Sequence, residues 1–327
     1  MTTQSRLSEL LATALGLEVQ CLLGDPTISE IRLNADGTLW ANRLGHGKFP
    51  TETRVTPESA RQVIYAVAYS VNDICNDDKP AISAELPGTG ERFQGVLPPL
   101  SKAPAFSIRK KAVKIFSLQE LVLQGVLSAD GGSFLQRTVL GRENILIVGG
   151  TDSGKTTFAN ALLQVVAETS DRIVIIEDTQ ELQCNAQDVE YLRTKDGVAS
   201  LRDLVRITMR LSPDRIVIGE VRGAEALDLL KAWNTGHGGG VSTVHASSAK
   251  QGLSRIEQLV QEANVQTPSK HMIAEAVNVI VYMEKVGTKR LVKEIARVKG
   301  VTPSGYDLTP YTLKDKANDE EGKRDFV

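Results

Sequence analysis

The sequence predicts an α/β protein in two parts: a domain with a mainly parallel sheet built around a phosphate-binding loop, preceded by a smaller α+β domain. Three observations carry this. Residues 145–158 read ILIVGGTDSGKTTF, an apolar run followed by the pattern G-x-x-x-x-G-K-[ST] at Gly149 to Thr156. Beyond that loop, apolar runs alternate with helical patterns, as in βαβ units. Before it, short strands separated by Pro and Gly lie among amphipathic helices.

Composition limits the function classes. At 327 residues, with 41% apolar and 24% charged side chains, the chain is long enough for two domains that each bury a core. A formal net charge of −2 supplies no general attraction to nucleic acid or to an anionic membrane. No basic, aromatic-lined groove is evident either, so direct nucleic-acid binding is not expected. No apolar run approaches a membrane span and the first sixteen residues do not read as a signal peptide, which predicts a cytosolic protein. Cys21, Cys75 and Cys184 are odd in number and far apart, so they predict reduced thiols rather than a disulfide framework or a C-x-x-C metal pair.

Taken in order, Ser5 to Leu15 predict a helix stopped by Gly16. Ile28 to Leu33 and Thr38 to Arg43 predict two strands joined by a tight turn at Asn34 to Gly37. Thr56-Pro57 opens a helix whose apolar side carries Ala60, Val63, Ile64, Val67, Ala68 and Val71. Further strands follow, including Arg92 to Leu97 and Ala105 to Arg109, and complete an α+β domain over 1–112. Residues 113–133 read as an interdomain connection, with a capping box at Ser117 to Glu120 and a Gly-containing break from Leu127 to Ser133. The ATPase-like domain is expected over 134–313. Its strands are Arg172 to Glu177, Arg215 to Gly219 and Val241 to Val244, its helices Leu201 to Leu211 and Ala224 to Thr235. Helices near Lys250 to Glu262 and Ser269 to Ala276 and two strands paired across Gly287 close it. Residues 314–327 lack an apolar pattern and predict a disordered tail.

The loop residues Gly149, Gly150, Thr151, Asp152, Ser153, Gly154, Lys155, Thr156 and Thr157 are the candidate nucleotide cradle. Glycines let successive N–H groups curl around a phosphate, and the following helix adds its positive end. Lys155 is expected on the β- and γ-phosphates and Thr156 on magnesium. Asp152 is out of place, since a carboxylate repels the anion the loop should gather. Unless it points away, Asp152→Gly should tighten ATP binding. In open α/β sheets ligands sit beyond the carboxyl ends of the strands, which selects Glu177, Asp178, Glu220 and His245. Glu220 is the candidate for orienting or deprotonating the attacking water, and His245 for a hydrogen bond to a γ-phosphate. His237 is a weaker candidate in a Gly-rich turn. Arg202, Arg206 and Arg210 share one helix face, which suggests either an external anion or a solvated basic face.

GGTDSGKTT at 149–157, IIEDTQEL at 175–182, RLSPDRIVIGEVRG at 210–223 and GHGGGVSTVHASSA at 236–249 resemble, in order and spacing, the four nucleotide-site boxes of the type II/type IV secretion ATPases. ERFQGVLPP at 91–99 is similar to part of that family's N-terminal domain, and the conjugal-transfer branch of the Trb type is the most similar. The resemblance implies a RecA-like C-terminal domain, a homohexameric ring, and ATP hydrolysis with Mg2+ at the inner face of the bacterial inner membrane. There the ring would work with the inner-membrane components of a secretion apparatus, energising conjugative pilus assembly or substrate transfer. It further implies that Lys155 and Thr156 bind triphosphate and magnesium, that Glu177 and Asp178 form an aspartate box, with Asp178 reaching the metal through water, and that Glu220 and His245 serve turnover. Arginines of the N-terminal domain, matched by Arg92 and Arg109, would complete the site. Two alternatives stay open: a type IV pilus or type II secretion motor, and an ATP-gated assembly scaffold that hydrolyses weakly because of Asp152.

Overall fold

The computed structural model describes residues 3–44, 46–110, 115–195, 197–263 and 269–311. It divides into two compact units, Met1–Lys114 and Ile115–Val327. The expected tail, 314–327, lies outside the described residues.

The first unit begins with α1 (Thr3–Gly24), which breaks at Gly16 (φ 75°, ψ 165°) and resumes as a second helical segment that the sequence reading lacked. β1 (Ile28–Leu33) and β2 (Thr38–Arg43) have the expected bounds. β3 (Gly47–Arg54) follows, then α2 (Pro57–Ser70), capped by the Thr56 hydroxyl accepting from the Ser59 N–H. Of the apolar face expected on α2, Ala60 to Ala68 are buried and Val71 is exposed. β4 (Ala81–Glu85), β5 (Arg92–Val96) and β6 (Ala105–Arg109) complete an antiparallel sheet of order β3-β2-β1-β6-β5-β4.

The second unit opens with α3 (Leu118–Leu123) and α4 (Ala129–Leu140). The described part of the segment read as a connection is therefore structured and belongs to this unit: Leu118, Leu121 and Leu127 enter its core. The capping box is present, with Ser117 and Glu120 bonded reciprocally. Gly131 and Gly132 do not break the chain but lie inside α4. A Cβ on Gly131 would lie 3.1 Å from Ile295 and one on Gly132 3.0 Å from Val122, so these glycines admit close packing.

β7 (Ile145–Gly149), α5 (Lys155–Val166), β8 (Ile173–Glu177), β9 (Val189–Arg193), α6 (Leu201–Thr208), β10 (Arg215–Ile218), α7 (Glu225–Asn234), β11 (Val241–Val244), α8 (Ala249–Gln261), α9 (Lys270–Ala276), β12 (Val279–Val286), β13 (Lys289–Thr302) and β14 (Gly305–Pro310) follow. The sheet order is β14-β13-β12-β7-β11-β10-β8-β9. From β12 to β9 all pairs are parallel, but β13 and β14 add antiparallel pairs at one end, so the sheet is mixed. Alternation divides its side chains between two cores. Leu146, Val148, Val174 and Ile176 face α6 to α9, while Ile145, Ile147, Ile173 and Ile175 face α3 to α5. The strands are buried on both faces, which is why they read as unbroken apolar runs.

Candidate functional site

Strand order assembles the site. β11 lies beside β7 with Val244 opposite Val148, β10 beside β11 with Ile218 opposite Ser242, and β8 beside β10 with Ile176 opposite Ile218. Gly149, His245, Glu220 and Glu177 therefore emerge at neighbouring carboxyl ends of one parallel sheet. Residues spread over ninety-six positions of sequence become one cluster.

The loop from Gly149 to Lys155 is shaped by close contacts. A Cβ on Gly149 would lie 2.4 Å from Ser153 Oγ and 2.6 Å from the Met283 carbonyl oxygen. Gly154, at φ 94°, is the N-cap of α5 and, being glycine, brings no side chain of its own to the first-turn N–H groups. Ser153 Oγ is buried within the loop and has no hydrogen-bond partner. Lys155 is buried and donates from Nζ to the carbonyl oxygens of Gly149 (3.0 Å) and Gly150 (2.9 Å). A cradle of this kind, open N–H groups with one ammonium, suits an anion.

His245 stands between two charges. Its Nδ1 is 3.4 Å from Lys155 Nζ and its Nε2 2.7 Å from Glu220 Oε1. Partial burial and then the Lys155 charge push the imidazole below its ordinary 6.5, while Glu220 pulls the other way. His245 is thus neutral at pH 7.

The two oxygens of Glu220 differ. Oε2 accepts two N–H groups of Arg222, from Nε at 2.9 Å and Nη2 at 2.5 Å. Oε1 is buried and, despite its nearness to His245, has no aligned hydrogen-bond donor. An ionised oxygen so placed is an acceptor awaiting a proton donor. Arg222 also donates to Asp178 Oδ2 at 3.3 Å, and Asp178 accepts from the Thr194 hydroxyl at 3.1 Å. Arg222, which the sequence shows only as part of the run RLSPDRIVIGEVRG, thus joins the two acidic boxes.

Glu177 is engaged differently from its expected catalytic place. Its buried carboxylate accepts from the backbone N–H groups of Glu181 (3.1 Å) and Leu182 (3.0 Å), and thereby shapes the turn after β8. Gly219 makes room for it, since a Cβ there would come 2.8 Å from Glu177 Cγ. The turn carries Glu181 to within 3.5 Å of Thr156 Oγ1, so Glu181, rather than Glu177, is the carboxylate beside the expected magnesium residue.

Asp152 has φ 60° and faces the β12–β13 hairpin: it accepts from Lys285 Nζ at 2.5 Å and Arg290 Nη2 at 2.7 Å. Partial burial opposes its charge, but these two hydrogen bonds hold its carboxyl below the ordinary 3.8. The expected tightening by Asp152→Gly presumed a carboxylate turned toward the anion, and its oxygens are instead taken by the hairpin.

Other candidates find partners elsewhere. Arg202 and Arg206 bind opposite oxygens of Asp228 on α7, at 2.6 and 3.1 Å, which replaces the external anion suggested for them. His237 Nδ1 lies 2.8 Å from the Pro213 carbonyl oxygen, a turn contact. Arg92 and Arg109 stand opposite each other on β5 and β6 of the first unit. A hollow of about 590 Å³ adjoins Asp178, Thr194 and Arg222, and no residue of the phosphate loop lines it.

For magnesium the donor set can be tested directly. Among the described residues no cluster of three His, Cys, Asp or Glu side chains could cage a metal. A hydroxyl at Thr156 with the Glu181 carboxylate 3.5 Å away fits a cation that keeps water and phosphate oxygens as its main ligands.

Comparison with known proteins places this geometry. A family model described as type II/IV secretion system protein matches residues 70–301. The conjugal transfer protein TrbB of Rhizobium radiobacter is 44% identical over 313 residues, covering 95% of this chain and 96% of the relative. The type IV secretion system protein PtlH of Bordetella pertussis is 33% identical, covering 82% of this chain and 89% of its own. Among solved structures, the pilus retraction motor PilT with bound ADP aligns at a TM-score of 0.61 and 22% identity, covering 94% of this chain and 86% of that one, a likeness of fold.

Proposed function

This chain belongs to the type II/IV secretion system protein family, and on that premise we propose that it is an ATPase whose RecA-like domain hydrolyses ATP to energise conjugative pilus assembly or substrate transfer through a type IV secretion system. The observation that carries the catalytic part is the buried, donor-free Oε1 of Glu220, set at the strand edge beside the neutral His245 that contacts Lys155.

The roles follow from the contacts. The N–H groups at the start of α5 and the Lys155 ammonium bind the phosphates; Lys155 exchanges its two loop carbonyls for phosphate oxygens, a gain because the new acceptor carries a full negative charge and the carbonyls are neutral. Glu220 Oε1 accepts a hydrogen bond from water and orients it for in-line attack, while Arg222 on Oε2 fixes the carboxylate's rotation. His245 stands between Lys155 and Glu220 and can turn a ring N–H to the departing phosphate. Thr156 and, through water, Asp178 would hold magnesium, which would supply charge neutralisation to the bound triphosphate.

Homohexamer formation and attachment at the inner membrane face, beside membrane components of the apparatus, belong to the same proposal. The names of TrbB and PtlH, a conjugal transfer protein and a type IV secretion system protein, support work with a secretion apparatus. No helix among the described residues is long and apolar enough to cross a membrane, so attachment would be through partners. The test is phosphate release from Mg-ATP by the full chain and by Lys155→Ala. Turnover should be abolished in the variant along with nucleotide binding, and equal rates would refute the assignment.

A further inference from the structure

Lys285 and Arg290 are register partners across the β12–β13 hairpin, just before and after its turn at Gly287. Two cations directly opposite on adjacent strands repel. One carboxylate relieves that repulsion: Asp152, from the phosphate loop, places one oxygen on each cation. Its backbone sits at φ 60°, a region where glycine is at ease and aspartate only tolerated. The side-chain contacts therefore outweigh a backbone preference for glycine. The arginine stem also packs on the loop, since a Cβ on Gly154 would lie 3.4 Å from Arg290 Cβ. Gly149, at the other end of the loop, presses on the Met283 carbonyl of the same hairpin. The hairpin thus touches the loop at its first glycine, at its left-handed residue and at its helix cap.

We propose that Asp152, Lys285 and Arg290 form a latch that ties the phosphate loop to the β12–β13 hairpin and holds it in its phosphate-receiving shape. They are positioning residues, acting through the loop backbone rather than on the nucleotide. The inference rests on the nucleotide-site reading, and two simple accounts of Asp152 make opposite predictions. If its charge alone mattered, removing the carboxylate would tighten phosphate binding and removing the two cations would weaken it. If the latch matters, both changes act in the same direction.

The test uses the full chain with Mg-ADP in titration calorimetry, and amide hydrogen exchange without nucleotide. Asp152→Asn keeps the shape and the tolerance of positive φ while removing the charge. Lys285→Gln with Arg290→Gln removes the other side, and a triple variant closes the cycle. Partly exposed ion pairs of this kind predict a weakening of roughly three- to tenfold on either side. The triple variant should be no weaker than the weaker of the two, and exchange at residues 149–157 should quicken in all three. Tighter binding by Asp152→Asn, or losses that multiply in the triple variant, would overturn the latch. Should the wild type bind no ADP, the nucleotide reading fails, and unchanged exchange in every variant would separately overturn the latch.

Discussion

His245 and Glu220 owe their properties to what stands on either side of them. With Lys155 on one ring nitrogen and Glu220 on the other, the imidazole is biased toward its neutral form by burial and by the lysine charge. A histidine with a lowered folded pKa lets the unfolded chain take the proton first. Its contribution to stability is therefore complete above about pH 6.5 and declines as pH falls below that. An NMR titration of the His245 ring should give a midpoint below 6.5, and Lys155→Met should move it upward; a wild-type midpoint at or above 6.5 would contradict the assignment. Glu220 and His245 were legible in the sequence because each directly follows a short apolar run. The engagement of Glu177 with the N–H groups of Glu181 and Leu182 was not, since a strand-end carboxylate looks the same whether it serves a backbone turn or a substrate.

Among the elements, β10 shows how the Gly-rich segment before β11 is used. Arg215 at the start of β10 is 1% exposed; it donates to Asp171 at 2.6 Å and to the carbonyl oxygens of Val139 and Gly239. A Cβ on Gly239 would meet the guanidinium at 2.6 Å, and one on Gly240 would lie 2.2 Å from both the Ile216 carbonyl oxygen and Trp233 Nε1. Gly239 and Gly240 therefore make space for a buried ion pair and an indole, a reason beyond a tight turn. Arg215→Met should cost roughly 2–4 kcal/mol in denaturant unfolding because it leaves Asp171 to Arg142 alone, at 3.6 Å, and takes the guanidinium from the Gly239 carbonyl. A cost under about 1 kcal/mol would show the pair to be dispensable. Most helices and inner strands were readable from periodicity and caps. β9 and β14, at the sheet's two edges, and the Asp228 contact of α6 were not, since they depend on pairings distant in sequence.

For the whole molecule, the division into two units sets the remaining question. The resemblance to the secretion ATPases implies that Arg92 and Arg109 of the first unit would complete the nucleotide site. Arg92→Ala with Arg109→Ala should then lower turnover at least tenfold while the second unit still binds nucleotide. Calorimetry on the full chain alongside phosphate release separates the two readouts, and unchanged turnover would remove these arginines from the mechanism. Sedimentation with Mg-ADP should show six copies if the ring forms. The α/β class and the phosphate loop were legible because they rest on local pattern. The latch was not, since Asp152 and Arg290 stand 138 residues apart in the chain.

The central claim is that Glu220 Oε1 orients the water that attacks ATP and takes its proton, and single-turnover hydrolysis by Glu220→Gln tests it most directly. Gln keeps the size of the side chain but cannot accept a proton, so ATP should still bind within about threefold of wild type while the hydrolytic step slows at least about 100-fold. A variant that hydrolyses bound ATP at the wild-type rate would contradict the account.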